Sequence, residues 1–273
     1  MQNPFRAILI AGPTASGKSA LAIRLANDLS GVIINADSMQ VYSDLHIITA
    51  RPDADEEKLA PHRLYGTIDG AEACSAADWA GMAMAEIERA WEKGLIPILV
   101  GGTGLYFKAL LEGIVTIPPI EAAIRQKVRA DVSKFGPQAM HAKLKELDVK
   151  AYERLEPADS QRISRAMEVV LSTGRALSDW QDDPQEGPLS KLDDEGHIAK
   201  IIIDIDRKTL YERCEHRLDI MIEVGALDEI ATLRKRDLDP SLPIMKALGV
   251  PSLGDYLQGN MTLEEALIAA KTQ

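Results

Sequence analysis

The amino-acid sequence predicts an α/β fold, in which a parallel β-sheet is flanked by helices and interrupted by an all-helical insertion. Three observations support this class. Short runs rich in Ile, Leu and Val alternate with helical patterns, which is typical of parallel sheets covered on both faces. Apolar residues make up 46% of the 273 residues, enough for a large core. Between residues 116 and 185 the patterns are helical only.

Four apolar runs have the length and composition of buried strands, at residues 6–11, 31–36, 95–100 and 199–205. Helical patterns in the same region cover 19–26, 75–93, 103–112, 208–236 and the residues from 262 onward; those of the insertion cover 120–133, 137–147 and 161–173. We therefore predict a core formed by residues 1–115 and 186–273, and an insertion domain formed by residues 116–185.

The loop after the first predicted strand matches the phosphate-binding pattern G-x-x-x-x-G-K-[ST] at every position. It consists of Gly12, Pro13, Thr14, Ala15, Ser16, Gly17, Lys18 and Ser19. Because a helix starts directly after this loop, its free N–H groups and the Lys18 ammonium can hold a polyphosphate, and the Ser19 hydroxyl can bind Mg²⁺. The core is thus predicted to be P-loop NTPase-like. The motif leaves open whether the ligand is a nucleotide or another diphosphate.

Two further loops follow predicted strands. In a nucleotide hydrolase, a strand such as 95–100 usually ends in an aspartate that helps to bind Mg²⁺, but here Gly101-Gly102-Thr103-Gly104 follows. The run is either a close approach to a ligand or a tight turn, and Asp204 is a minor alternative for the metal. Asp37 follows the second strand, where it can cap a short helix, accept a proton or bind a metal.

Composition argues against several other classes. The net charge of −11 disfavours nucleic acid, although residues 121–179 are mildly basic, with 11 Lys and Arg against 9 Asp and Glu. Neither a signal peptide nor an apolar run of about 20 residues is present, so we expect a cytoplasmic protein without a membrane partner. Cys74 and Cys214 are far apart and outside C-x-x-C pairs, which disfavours a disulfide or a zinc site.

The loops together, in this order, resemble the bacterial tRNA dimethylallyltransferases, also called tRNA isopentenyltransferases. The resemblance is carried by Gly12 to Ser19, Asp37-Ser38-Met39-Gln40-Val41-Tyr42, Thr49 to Pro52, Pro61 to Gly66, Ser75 to Asp78, Gly101-Gly102-Thr103-Gly104-Leu105-Tyr106, Asp159-Ser160-Gln161-Arg162-Ile163-Ser164-Arg165-Ala166, Arg213, Arg217 and Ala247 to Val250. It covers nearly the whole chain.

The resemblance implies transfer of a dimethylallyl group from dimethylallyl diphosphate to N6 of the adenine 3′ to the anticodon, with Mg²⁺ as cofactor and the tRNA anticodon stem-loop as partner. Asp37, Thr103 and Arg217 would be catalytic, and residues 12–19 with Arg213 would hold the diphosphate. The tRNA contacts implied are Asp37, Ser38, Met39, Gln40, Thr103, Arg125, Gln161, Arg162, Ile163, Ser164 and Arg165. We expect a monomer.

Two departures from the family pattern accompany this resemblance. Arg51 stands where the family usually has lysine, and family members continue past the equivalent of residues 271–273 with a basic segment, so we expect the core to lack its C-terminal part. Three alternatives stay open: a P-loop small-molecule kinase, an adenylate isopentenyltransferase, and a non-enzymatic RNA-binding or regulatory module. The match at Gln161 to Arg165 favours tRNA over a free nucleotide.

Overall fold

A computed structural model describes residues 4–183 and 185–272 of the chain. It contains two compact units. The sheet unit comprises Met1–Glu112 and Gly187–Gln273, and the helical unit comprises Gly113–Glu186. The predicted domain boundaries, at 116 and 185, lie close to these divisions.

The sheet unit is built on five parallel strands. They are β1 (Ala7–Ala11), β2 (Gly31–Asn35), β3 (His62–Arg63), β4 (Ile96–Gly101) and β5 (Ile198–Ile202), in the order β3-β2-β4-β1-β5. The predicted parallel α/β sheet is therefore confirmed. The strand β3 escaped prediction because its two residues are too few for any periodicity to show.

The central strands explain why the sequence reads as continuous apolar runs. Every residue of β2 is buried, as are the first four of β1, because helices cover both faces of this part of the sheet. The register pairs Ala11 of β1 with Gly101 of β4. The two strands therefore end side by side, and the loops that follow them start at the same sheet edge.

Fourteen α-helices occur in the described part of the chain. The first part of the sheet unit contains α1 (Lys18–Leu29), α2 (Ala54–Leu59), α3 (Ala76–Glu92) and α4 (Gly104–Leu111). The helical unit contains α5 (Ala122–Phe135), α6 (Pro137–Leu147), α7 (Val149–Arg154), α8 (Ser160–Thr173) and α9 (Leu177–Gln181). The second part of the sheet unit contains α10 (Ser190–Asp194), α11 (Arg207–Glu223), α12 (Ala226–Lys235), α13 (Val250–Leu257) and α14 (Leu263–Lys271). A 3₁₀ turn covers Pro243–Lys246.

The predicted helix over 208–236 is in fact two helices. Gly225 has a φ of 108°, a left-handed conformation that glycine adopts readily and that ends α11 before α12 begins. The short helices α2, α7, α9, α10 and α13 were not predicted, because five to eight residues show too little periodicity.

Trp79 of α3 anchors one face of the sheet. Its ring is fully buried and stacks on Tyr106 of α4, with ring centroids 4.1 Å apart. The indole Nε1 donates a hydrogen bond to the carbonyl oxygen of Asn35 at 2.9 Å. This contact satisfies the indole N–H inside the core and fixes the end of β2, two residues before Asp37.

The helical unit has its own core. Met140, Leu144, Ile163 and Val169 are almost completely buried between α5, α6 and α8. Asp148 is also buried, and it accepts hydrogen bonds from the amides of Ala151 and Ser178 and from the Ser178 hydroxyl, which joins α7 to α9. In neither unit is any described helix long and apolar enough to cross a bilayer.

Candidate active site

Three loops of the sheet unit meet at the carboxyl edge of the sheet. They follow β1, β2 and β4, which are neighbours in the sheet. A Cβ placed on Gly102 would lie 3.5 Å from the carbonyl oxygen of Gly12 and 3.9 Å from Oδ2 of Asp37. The glycine loop, the second glycine run and the carboxylate thus share one site, as expected for an open α/β sheet.

The loop after β1 is shaped to receive an anion. Gly17 has a φ of 91°, and no side chain within the described residues caps the start of α1. By contrast, α2, α3 and α14 begin with complete capping boxes. The first N–H groups of α1 are consequently left for a ligand, and the helix dipole adds positive potential. The Lys18 ammonium folds over the loop and donates to the carbonyl oxygen of Pro13 at 2.5 Å.

Ser16 supports the same interpretation. Its side chain is buried, and its Oγ has no hydrogen-bond partner among the residues that the structure describes. A buried hydroxyl without a partner is costly, so a polar ligand at the loop would relieve that cost. The orphaned hydroxyl is thus an observation of the structure, separate from the sequence motif, that suits a polar ligand at this loop.

The glycine run after β4 allows the three loops to approach. A Cβ on Gly101 would lie 1.9 Å from the carbonyl oxygen of Ala36, so only glycine fits between β2 and β4 here. Two hydrogen bonds then join the loops. The Thr103 amide donates to the Ala36 carbonyl at 3.3 Å, and the Ser38 amide donates to Thr103 Oγ1 at 3.0 Å.

Asp37 is held in a turn by one of its two carboxylate oxygens. Its Oδ1 accepts hydrogen bonds from the amides of Met39, at 2.9 Å, and Gln40, at 3.4 Å. Over the described part of the chain, no hydrogen bond reaches Oδ2, which faces Gly102. The expectation that Asp37 caps a short helix is wrong, because a turn follows instead, but the side chain does cap that turn.

Arg217 of α11 reaches the glycine loop. Its Nη1 lies 3.5 Å from Thr14 Oγ1, a long contact that leaves most of the guanidinium donors for a ligand. Burial is the main cause that lowers the pKa values of both Arg217 and Lys18. The positive charge of Arg217 lowers the pKa of Lys18 further. Asp37 acts in the opposite direction on both cations. The site therefore carries a positive charge that an anionic ligand would stabilise.

Arg213 and Asp204 lie at the margin of this arrangement. Arg213 is exposed one turn before Arg217 on the same face of α11, and its charge acts on Asp206. Asp204 is exposed in the segment after β5.

The donor set suits Mg²⁺ in the manner of phosphate-dependent sites. The described residues contain no cluster of three or more His, Cys, Asp or Glu side chains that could hold a metal alone. Mg²⁺ is commonly bound by one or two protein oxygens together with substrate phosphates and water. Ser19 lies exposed in the first turn of α1, and its hydroxyl supplies one such hard donor.

The remaining site residues predicted from the resemblance lie in the helical unit. Arg125 of α5 and Gln161, Arg162, Ser164 and Arg165 of α8 are exposed or half-buried. Ile163 is fully buried in the core of the unit, so its side chain packs and does not face solvent. The sequence of α8 already indicates that Ile163 is buried, since Ile163 lies on the same helix face as Met167.

Several residues that position the site were not predicted from the sequence. The Glu229 carboxylate of α12 accepts hydrogen bonds from the amides of His46, Ile47 and Ile48 at 2.6–2.9 Å. This contact holds the chain that follows the Asp37 turn. Nothing in the sequence pairs residues 181 to 183 positions apart, so only homologous sequences could have revealed it.

Gln40 and Arg51 complete this support. The side-chain Nε2 of Gln40 donates to the carbonyl oxygens of Thr49 and Ala50 at 2.8 and 2.9 Å. The Arg51 guanidinium lies against Gly66 and donates to the Tyr42 carbonyl at 3.3 Å. The turn that carries Asp37 is thereby fixed from behind, and Arg51 fills a structural position as well as carrying charge.

The fold and the site define a class of protein: a P-loop-like α/β protein whose glycine loop lies beside an aspartate carboxylate. Comparison with known proteins then gives the family. The chain belongs to the IPP transferase family, whose model matches residues 40–273.

The relatives agree with this assignment. The tRNA dimethylallyltransferase of Rhodopseudomonas palustris (strain CGA009) is 53% identical over 260 residues, which cover 95% of this chain and 80% of the relative. That of Rhodospirillum rubrum is 50% identical over 264 residues, covering 97% and 80%.

Two solved structures are also similar. The tRNA isopentenylpyrophosphate transferase of Bacillus halodurans has a TM-score of 0.64 and 33% identity over 97% of this chain and 82% of that one. A eukaryotic dimethylallyltransferase acting on tRNA has a TM-score of 0.77 and 28% identity over 97% of this chain and 66% of that one.

Proposed function

We propose that this protein transfers a dimethylallyl group from dimethylallyl diphosphate to N6 of the adenine 3′ to the tRNA anticodon. The products are N6-isopentenyladenine in tRNA and diphosphate. The observation that carries the proposal is the free Oδ2 of Asp37, which lies close to the two glycine loops. The names of the relatives support a tRNA prenyltransferase.

The reaction breaks the allylic C–O bond, and the electron pair leaves with the diphosphate. The leaving group would gain charge as this bond breaks, so fixed donors around it would lower the barrier. The loop amides of residues 12–19, the Lys18 ammonium and the Arg217 guanidinium are those donors. Thr103 keeps its hydroxyl proton for donation, because its Oγ1 accepts from Ser38. Arg213 adds long-range positive charge.

The N6 nitrogen of adenine then forms a bond to the allylic carbon and must lose a proton. Before that bond forms, an exocyclic amine conjugated to a purine is a weak nucleophile and a weak acid. A carboxylate therefore suits it as a late proton acceptor. Asp37 Oδ2 would accept the proton, while Oδ1 stays bound to the turn and keeps the carboxylate oriented.

Mg²⁺ would supply charge neutralisation of the diphosphate, with Ser19 as its protein ligand. Asp37, Ser38, Met39, Gln40 and Thr103 in the sheet unit, and Arg125, Gln161, Arg162, Ser164 and Arg165 in the helical unit, would contact the anticodon stem-loop. The target adenine has to leave the loop stack to react. We propose that the protein acts on tRNA in the cytoplasm as a monomer, which light scattering of the free protein tests.

A substrate panel tests the proposal against its alternatives. The protein is incubated with radiolabelled dimethylallyl diphosphate and tRNA, with labelled donor and AMP, or with ATP and candidate alcohols. We expect label in tRNA alone. Label in AMP would indicate an adenylate isopentenyltransferase, and ATP turnover without prenyl transfer would indicate a kinase. Binding of RNA without any turnover would indicate a non-enzymatic module.

A further inference from the structure

The helical unit contains a cavity to which the proposed function assigns no ligand, although two residues that line it, Arg162 and Arg165, are among the proposed tRNA contacts. Its volume is 410 Å³, within the range of small-ligand sites, and it is lined by Ala151, Arg154, Leu155, Arg162, Arg165, Leu177 and Gln181. All these residues belong to α7, α8 and α9 or directly follow them. The cavity is therefore built entirely from one unit.

The lining combines an apolar surface with a cationic rim. Ala151, Leu155 and Leu177 provide the apolar part, and Leu177 is only 9% exposed. Arg154, Arg162 and Arg165 contribute three guanidinium groups. A ligand that satisfies both parts has a flat or apolar portion and an attached anion.

Arg154 is the least neutralised of the three arginines. Its Nη2 donates to the uncharged amide oxygen Oε1 of Gln181 at 2.7 Å. No carboxylate oxygen of a described residue lies within 4.0 Å of its guanidinium nitrogens. The Gln181 contact orients the guanidinium without cancelling its charge. Arg154 is therefore preset to bind an anion at low entropic cost.

The other two arginines are only partly neutralised. Arg162 lies 3.2 Å from Asp159 in an exposed pair. Arg165 lies 3.8 Å from Glu168, whose second oxygen is also 3.8 Å from Arg129, so that one carboxylate serves two guanidiniums. The residues that line the cavity include three arginines and no carboxylate, although the protein as a whole carries a net charge of −11.

We propose that this cavity binds one unstacked nucleotide of the RNA substrate, other than the adenine that is prenylated. The base would pack on Leu155 and Leu177, and its phosphate would be bound by Arg154 with Arg162 and Arg165. Single-stranded RNA bases are bound in this manner by apolar and arginine surfaces. The inference rests on the proposed function, because it takes an RNA loop as the substrate.

Binding of RNA to Arg154→Ala tests the inference, with Lys150→Ala as the matched control. Lys150 lies one turn earlier on α7 and carries the same charge, but it pairs with Asp182 and does not line the cavity. Fluorescence anisotropy with an anticodon stem-loop RNA measures both affinities without donor diphosphate. We expect roughly a tenfold loss for Arg154→Ala, the size of one hydrogen-bonded phosphate contact, and little loss for Lys150→Ala. Equal losses would indicate diffuse attraction and overturn the proposal.

A set of RNAs, each lacking one loop base, then identifies the nucleotide. One missing base should weaken binding to the unchanged protein more than binding to Arg154→Ala, because loss of the phosphate contact already loosens that nucleotide in the cavity. If every missing base weakens both proteins alike, the cavity holds no base. Competition by inorganic phosphate or AMP at the same cavity, without dependence on any loop base, would assign it to a free anion and contradict the RNA proposal.

The outcome is separable from that of the proposed function. If the unchanged protein transfers no prenyl group to any tRNA, the proposed function fails, whatever the binding results. If it transfers the group and the two variants bind RNA alike, only the cavity inference fails. Because the Arg154 side chain is exposed, Arg154→Ala should leave the thermal unfolding midpoint unchanged. Arg154→Lys gives a second variant, which keeps the positive charge but loses the planar guanidinium that can donate two parallel hydrogen bonds.

Discussion

The amide of Ser38 donates a hydrogen bond to Thr103 Oγ1 across 3.0 Å, which joins the loop after β2 to the loop after β4. The contact lies between two residues 65 positions apart in the chain. It keeps the Asp37 turn next to the second glycine run. It also leaves the Thr103 hydroxyl proton directed elsewhere, so one side chain both orders the site and can donate to a ligand.

Replacing Thr103 by valine should weaken both the contact between the two loops and the donation of a hydrogen bond to a ligand. Thr103→Val removes the acceptor of the part-buried Ser38 amide at nearly constant volume, which should cost about 1–2 kcal/mol of unfolding free energy. Urea denaturation measures this cost. Thr103→Ser keeps the hydroxyl and should retain most of the stability and the transfer rate. Equal behaviour of the two variants would show that the hydroxyl has neither role.

Asp37→Asn separates proton acceptance from loop structure. The asparagine oxygen can still accept from the Met39 and Gln40 amides, so the turn should survive, whereas Asp37→Ala loses the turn as well. We expect the single-turnover transfer rate of Asp37→Asn to fall by about 100-fold or more. Diphosphate affinity, measured by isothermal titration, should change little. A parallel loss of affinity and rate would refute the assignment of Asp37 as the base.

Gly101 should tolerate no side chain, in contrast to Gly104. An alanine Cβ at position 101 would overlap the Ala36 carbonyl at 1.9 Å, whereas nothing lies within 4 Å of a Cβ at position 104. Gly101→Ala should therefore cost at least about 1–3 kcal/mol of stability. Gly104→Ala should be neutral or slightly stabilising, because alanine favours the helix α4. Thermal unfolding of both variants checks this, and similar midpoints would contradict the packing of β2 on β4.

Diphosphate binding should weaken at alkaline pH because of Lys18. Burial, reinforced by Arg217, lowers the pKa of Lys18 below its ordinary value of 10.5, so the ammonium loses its proton at a lower pH than a free lysine. The positive charge that favours binding is present below the shifted pKa and is lost above it. Titrations of pyrophosphate between about pH 7 and pH 10 should show this decline.

Lys18→Arg is the control for the pH effect. Arginine stays protonated over the whole range, and ionisation of the ligand affects both proteins alike, so the difference between the two curves reports Lys18. We expect the wild-type curve to fall away from the Lys18→Arg curve before pH 10.5. Parallel curves would mean that Lys18 does not contact the diphosphate.

Much of this site was predictable because its loops are continuous in sequence. Gly12 to Ser19, Asp37 and Gly101 to Gly104 each follow a buried strand, and parallel strands bring their carboxyl ends to one edge. The sheet and its four main strands were predictable for the same reason, since continuous apolar runs mark strands covered on both faces.

The rest depends on contacts that leave no local pattern. The support of the Asp37 turn by Glu229 and the contact of Arg217 with Thr14 join residues far apart in the chain. Sequence patterns also do not reveal that a turn and not a helix follows Asp37, since aspartate caps turns and helices by the same hydrogen bonds. The break at Gly225 could have been predicted, because glycine inside a helical pattern is a poor helix former.

A doubly labelled donor tests the central claim most directly. Dimethylallyl diphosphate carrying tritium in the allylic group and radiophosphorus in the diphosphate is incubated with the protein and tRNA, and the RNA is separated from free diphosphate. We predict that tritium enters the RNA without radiophosphorus, and that one labelled diphosphate is released for each allylic group transferred. Radiophosphorus bound to the acceptor, with the allylic group released as the alcohol, would contradict the account.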